Sequence, residues 1–195
     1  MKKLLSIVLA VLMCMTAMTT AISVSAKETD KVTTSATGNI TWNVSGGVLY
    51  ILGSGDMANY DAVYNRAPWS NKYNEIRKVV ISENVTSIGN CAFYSLSNLT
   101  YVQFDGNSKL NKIGEKAFSY CNNLTDITLP NSVKSVGINA FSSCRALANF
   151  TTNASAGFGD YAFYNCVNLQ TVSTPKAKSF GDYAFSYCGM LTKAN

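Results

Sequence analysis

Residues 137–147 read Gly137-Ile138-Asn139-Ala140-Phe141-Ser142-Ser143-Cys144-Arg145-Ala146-Leu147, and their skeleton recurs along the chain. Ala-Phe returns at Phe93, Phe118, Phe141, Phe163 and Phe185, spaced 25, 23, 22 and 22 residues apart. A glycine leads each pair by three positions (Gly89, Gly114, Gly137, Gly159, Gly181), preceded in turn by Ile88, Ile113, Val136, Phe158 or Phe180. Three residues after each Phe comes Leu96, Cys121, Cys144, Cys166 or Cys188, and three further on Leu99, Leu124, Leu147, Leu169 or Leu191. A fixed period of this length marks a repeat architecture, in which one unit cannot bury its own apolar face and stacking supplies a continuous core.

The first half of each unit alternates like a short strand, as in Leu99, Val102, Phe104 and Leu124, Ile127, Leu129. The second half, from Gly through Ala-Phe to Cys, has apolar residues three apart and suits a second short strand or a tight helical turn. The expected fold is a mainly β repeat solenoid with columns formed by Phe93, Phe118, Phe141, Phe163 and Phe185 and by Cys121, Cys144, Cys166 and Cys188. Thr152 and Thr174 replace aliphatic residues of the pattern, which predicts a looser sheet there.

The order Ile-Gly, Ala-Phe, Cys, Leu resembles the BspA-like branch of bacterial leucine-rich repeats over about residues 76–195, and residues 137–147 follow that pattern residue for residue. The resemblance implies a leucine-rich repeat array and adhesion to host proteins or other cells. Ahead of it, Ile40-Thr41-Trp42-Asn43-Val44 and Val48-Leu49-Tyr50-Ile51-Leu52, flanking Ser45-Gly46-Gly47, read as a β-hairpin cap. The stretch Gly53 to Tyr73, with Met57, Pro68 and Trp69, is expected to pack under it, and the family often carries such a Trp-containing segment. The organisation is then 1–26 signal peptide, 27–37 polar leader, 38–75 hairpin cap and 76–195 repeats, five units plus the start of a sixth. The last unit has no visible cap, so the array is expected to continue in a longer protein.

The signal peptide rests on Lys2 and Lys3, an apolar run from Leu4 to Met15, and the small residues ending Val24-Ser25-Ala26. The run is too short for a spanning helix, so no membrane span remains after cleavage and the protein is expected to be secreted or displayed at the cell surface. Cys14 leaves with this segment; Met13 stands where an acylation signal carries a small residue. Loss of Lys2 and Lys3 lowers the basic residues from 16 to 14 against 11 acidic ones, a net charge of +3. These cations are scattered, and neither Lys109 with Lys112 nor Lys176 with Lys178 makes a nucleic-acid-binding stripe.

The 195 residues include no histidine, which excludes Ser-His-Asp and Cys-His nucleophiles, histidine metal ligation and imidazole acid-base work. Cys91, Cys121, Cys144, Cys166 and Cys188 are 22 or more residues apart, a poor zinc pattern. Four of them share one column, so buried thiols acting as small hydrophobes are favoured over disulfides. Asp160 and Asp182 are equivalent residues of adjacent units; backbone capping is favoured over a glycosidase pair, because Asn90 and Glu115 hold the same slot. Gly53-Ser54-Gly55 reads as a turn, lacking the lysine of a phosphate loop. No catalytic residue, metal or cofactor is expected, and the Asn-x-Ser/Thr sequons carry no weight.

The remaining candidate is the outward strand face, which by alternation shows Lys78 and Val80, Tyr101 and Gln103, Asp126 and Thr128, Asn149 and Thr151, Thr171 and Ser173. This strip is neutral and rich in hydrogen-bonding groups, suited to a protein or a glycan. Tyr101, Tyr161 and Tyr183 offer stacking platforms, and the loop Asp105 to Leu110, two residues longer than its equivalents, offers a binding edge. A binding module and a structural spacer of a longer exported protein remain as the two readings, with a carboxylate-dependent glycosidase as a distant third. Neither partner identity nor oligomeric state is legible.

Overall fold

The computed structural model describes residues 39–194; the stretches read above as a signal peptide and a polar leader, with Cys14, and Asn195 lie outside the described residues. The chain winds as a mainly β solenoid with three walls. Strands β1 (Asn39–Ser45) and β2 (Val48–Asp56) form an antiparallel hairpin with Ser45 opposite Val48. Gly46 and Gly47, at φ of +57° and +78°, supply the turn, whose left-handed backbone matches the twist of the strands. The expected turn at Gly53-Ser54-Gly55 is instead a bend inside β2. A Cβ on Gly53 would sit 1.8 Å from the carbonyl oxygen of Asn39 on β1, so only glycine lets the strand bend against its partner.

Wall one carries β3 (Lys78–Ile81), β5 (Tyr101–Phe104), β7 (Asp126–Thr128), β9 (Asn149–Thr151), β11 (Thr171–Ser173) and β13 (Lys193–Ala194). Wall two carries β4 (Val85–Ile88), β6 (Lys112–Ile113), β8 (Ser135–Val136), β10 (Gly157–Phe158) and β12 (Ser179–Phe180). Except between β5 and β7, each pairs in parallel with the same wall of the next unit, and β2 serves both walls, meeting β3 through Val48 to Ile51 and β4 through Gly55 and Asp56. β1 covers the outer edge of β2, so the first sheet does not end in an open row of N–H and C=O groups.

Wall two runs without a break, but wall one divides into β2-β3-β5 and β7-β9-β11-β13. Ser82 donates its N–H to Ile51, and Asp105 donates to Ile81, closing the ladder below β3 and β5. The equivalent residue after β7 is Pro130, which has no N–H to offer Phe104.

The third wall is neither the strand nor the helical turn expected. From Gly to Cys, alternate residues bond in different directions: Ala117 and Ser119 donate within the unit to Gly114 and Lys116, whereas Lys116, Phe118 and Tyr120 donate to Ile138, Ala140 and Ser142 of the next unit. The geometry requires a left-handed residue at every fourth position, and Lys116 and Tyr120 lie at φ of 52° and 64°. The glycine column marks the closest approach of successive units. A Cβ on Gly137 would meet the amide nitrogen of Glu115 and the carbonyl carbon of Gly114 at 2.7 Å.

Inside, the Phe column is continuous. Phe93, Phe118, Phe141, Phe163 and Phe185 follow one another at centroid distances of 5.0, 5.2, 5.6 and 5.3 Å. Trp69 extends it by one position, stacked on Phe93 at 5.8 Å with its indole N–H donated to the carbonyl of Ala92. Trp69 and Met57 are buried under the hairpin as expected, with Trp42 of β1 edge-on to Trp69, whereas Pro68 is exposed. The sheet at Thr152 and Thr174 is not looser: β9 and β11 hold register over three residues. Both threonines are buried, and the Thr152 hydroxyl accepts the Ala154 amide at 3.0 Å and donates to Leu129 at 3.4 Å.

Candidate functional site

Pleating turns the inward residues of wall one, Val79, Val102, Ile127, Phe150 and Val172, into the core and leaves the alternate set outside. Lys78 faces Tyr101 and Val80 faces Gln103 across β3 and β5; Asp126, Asn149 and Thr171 align across β7, β9 and β11, as do Thr128, Thr151 and Ser173. All ten predicted face residues therefore lie on wall one, but in two blocks separated by the break between β5 and β7. Val48 and Tyr50 of β2 join the first block, opposite Lys78 and Val80. They escaped the sequence reading because the hairpin looked like a separate cap and not like the first strand of the array.

The two blocks differ in chemistry. In the first, Tyr101 is half exposed and the Lys78 ammonium lies 5.4 Å from its ring centroid, a cation over an aromatic face. The second is a chain of side-chain hydrogen bonds: Asn149 donates Nδ2 to the Asp126 carboxylate at 2.6 Å, and Thr171 donates its hydroxyl to Asn149 Oδ1 at 2.6 Å. Each of these groups keeps further donor or acceptor capacity toward solvent. The longer loop turns inward on the array: Lys109 reaches Asn84 at 2.7 Å, and the Ser132 hydroxyl donates to the carbonyls of Ser108 and Leu110.

Asp160 and Asp182 form a rung of the third wall. Oδ1 of Asp160 accepts the Asp182 amide at 2.9 Å, as Oδ1 of Asn90 accepts the Glu115 amide at 2.8 Å and Oδ1 of Asn59 accepts that of Asn90 at 2.9 Å. The five cysteines among the described residues are free thiols. Burial holds those of Cys121, Cys144 and Cys166 far above the ordinary thiol range. Among the described residues no group of acidic, Cys or His side chains gathers as a metal site, and no helix is long and apolar enough to cross a membrane.

A recess of about 270 Å³ lies at the start of the third wall, lined by Trp69, Tyr73, Cys91, Tyr94 and the loop around Asp61 and Arg66. The amides of Val63, Asn65 and Tyr64 lower the pKa of the Asp61 carboxyl, and the loop they close leaves Tyr64 almost fully exposed.

A profile of the BspA type leucine rich repeat region matches residues 70–192 in six copies. The chain belongs to the BspA-type leucine-rich repeat family. Its fold is similar to a leucine-rich repeat protein of Bacteroides ovatus, at a TM-score of 0.50 and 24% identity over 66% of this chain and 36% of that one. The T. pallidum leucine rich repeat protein aligns at a TM-score of 0.51 and 22% identity, over 78% of this chain and 88% of that one. The pneumococcal vaccine antigen PcpA aligns at 0.52 and 17%, over 83% of this chain and 48% of that one. At these identities the likeness shows the fold alone, and the chain spans about a third of the Bacteroides protein. No protein of curated function matches significantly.

In this BspA-type array the column cysteines do more than fill space. Each thiol donates to the carbonyl of the Phe one unit earlier: Cys121 to Phe93 at 3.2 Å, and Cys144 to Phe118, Cys166 to Phe141 and Cys188 to Phe163 at 3.1 Å. Tyr94, Tyr120, Tyr164 and Tyr187 of the third wall were not singled out in the sequence. The available signal was their place one or two residues after each Phe, where the repeat otherwise carries Ser or Asn.

Proposed function

We propose that this BspA-type repeat chain is a secreted or surface-displayed binding module that recognises an extracellular protein or glycan through wall one. The observation that carries the reading is the outward face itself: two parallel sheets, one presenting Tyr101 and Gln103 beside Lys78 and the other the hydrogen-bonded row Asp126, Asn149, Thr171. Aromatic side chains next to oriented amides and hydroxyls suit both protein anchors and sugar rings. The leader read in residues 1–26 supports a location outside the cell. The absence of histidine and the engagement of Asp160 with a backbone amide support binding over catalysis.

The test uses residues 27–195 on a biosensor against extracellular-matrix proteins and cell-wall or plant polysaccharides. Saturable binding that falls at least about tenfold in the Tyr101→Ala, Gln103→Ala double variant, with an unchanged unfolding midpoint, supports the assignment. A folded chain that binds nothing, or a loss explained by lower stability, rejects it. The second reading, a spacer in a longer exported protein, draws on the chain spanning only 36% and 48% of two of its structural neighbours.

A further inference from the structure

The third wall carries ten non-glycine residues at φ between 51° and 64°, two positions after each repeat Gly or two after each repeat Phe. Four of the ten are tyrosines: Tyr120, Tyr161, Tyr183 and Tyr187. A left-handed backbone is costly for a bulky side chain and easiest for Gly, Asn and Asp. Asn139 and Asn165 occupy the same two positions, so the backbone does not require tyrosine there. Nor does the core, because Tyr120, with a unit on either side of it, is 45% exposed. An unfavourable residue retained at a strained position without a packing role points to a use at the surface.

In the last two units these rings form one cluster. Tyr161 stacks on Tyr183 at 5.2 Å and 11°, and Tyr164 meets Tyr161 and Tyr187 edge-to-face at 5.6 and 5.2 Å. The Tyr161 amide is bonded to Asp182 of the next unit and the Asn165 amide to Ser186, so the backbone at Tyr161 and beside Tyr164 is held before any partner arrives. Rigid tyrosines separated by Asn and Ser are the composition of protein-binding surfaces, in which tyrosine gives large contact area for little lost freedom.

Charge selects the partner. The chain as a whole is basic, at +5, but in these two units the wall carries Asp160 and Asp182 and no cation. Oδ1 of Asp160 is taken by a backbone amide, leaving Oδ2, and Asp182 is exposed. The cations of these units lie off the wall: Lys176 and Lys178 precede β12, and Lys193 is in β13; in earlier units the wall's Lys116 is bound to Glu115 at 2.8 Å. Tyrosine faces attract guanidinium and ammonium groups, and adjacent carboxylates strengthen that preference.

We propose that the third wall of the last two units docks an arginine- or lysine-bearing segment of a partner protein, with Tyr161, Tyr164, Tyr183 and Tyr187 as anchors and Asp160 and Asp182 as counter-charges. This surface is separate from wall one and does not depend on it.

The probe is immobilised polyarginine, with polyglutamate and a soluble β-glucan as comparators. The variant Tyr161→Asn, Tyr183→Asn, Tyr187→Asn substitutes the residue already used at equivalent positions, so its unfolding midpoint is expected to equal or exceed that of the wild type. Its affinity for polyarginine is expected to fall at least about tenfold. Asp160→Asn with Asp182→Asn keeps a capping oxygen and removes the charge. It should weaken binding and flatten its dependence on salt between about 0.01 M and 1 M, a range over which the screening length shrinks from about 30 to 3 Å. Tyr101→Ala with Gln103→Ala should leave polyarginine binding unchanged, which separates failure here from failure at wall one. Wild-type protein that ignores polyarginine, a tyrosine variant that binds it equally well, or retention of β-glucan alone through these tyrosines would overturn the proposal.

Discussion

The thiol of Cys144 donates to the carbonyl of Phe118, one unit earlier, at 3.1 Å. That carbonyl already accepts the Cys121 amide at 3.2 Å, so the thiol takes the second lone pair of the same oxygen. The column thus combines a small apolar volume with a weak donor, which aliphatic residues lack.

One consequence is chemical. In the native protein Cys121, Cys144 and Cys166 should resist a thiol reagent such as Ellman's, while half-buried Cys91 and Cys188 react first; denaturant should release all of them. Rapid native labelling of Cys144 would contradict the buried column.

Burial also couples these thiols to pH. Their folded pKa lies above the ordinary value of 9.0, so above about pH 9 the unfolded chain has lost protons that the folded chain keeps. Stability is therefore complete below that pH and falls as pH rises through and beyond it, by about 1.4 kcal/mol per pH unit for each buried thiol. Urea midpoints for wild type and Cys144→Ser between about pH 8 and 10.5 measure this; the variant should show the shallower decline.

Phe141 contacts Phe118, Phe163 and Phe150 and is fully buried. Phe141→Ala should cost about 3 to 5 kcal/mol in denaturant unfolding, whereas Phe185→Ala, at a half-buried position, should cost distinctly less. Equal losses would show that the column does not act as a graded stack.

Gly137→Ala forces a Cβ into the backbone of the preceding unit, while Gly106→Ala meets nothing within 4 Å. The first should destabilise by about 1 to 3 kcal/mol or more and the second by a few tenths at most, read from the same unfolding curves.

Thr152→Val restores the aliphatic pattern of the repeat, yet it should destabilise by about 1 to 3 kcal/mol. The hydroxyl satisfies the Ala154 amide, and valine leaves that donor unpaired in the core. A stabilised variant would mean that the hydrogen bond contributes nothing.

The period of Gly, Ala-Phe, Cys and Leu was enough to read the solenoid, because each residue type answers to one steric or packing demand that recurs in every unit. The hairpin followed from Gly46-Gly47 for the same reason. Other features depend on relations between units. The break at Pro130 became visible only once Ser82 and Asp105 had shown which amide closes the ladder. The bend at Gly53 depends on where Asn39 lies, and the two directions of bonding on the third wall leave no trace in apolar spacing. The face residues were placed on wall one by alternation alone, but neither their division into two blocks nor the tyrosine cluster could be read without register.

The interruption between β5 and β7 leaves adjacent units joined at two walls out of three. Wall two pairs β6 with β8, and the third wall links Lys116, Phe118 and Tyr120 to Ile138, Ala140 and Ser142. Between these units the rings of Phe118 and Phe141 stack at 5.2 Å and 3°. A joint tied on two sides and open on the third is where a change of curvature would break the fewest backbone hydrogen bonds. The block around Tyr101 and the block around Asn149 would then swing relative to one another like two jaws, and a ligand bridging them would set the bend of the whole molecule.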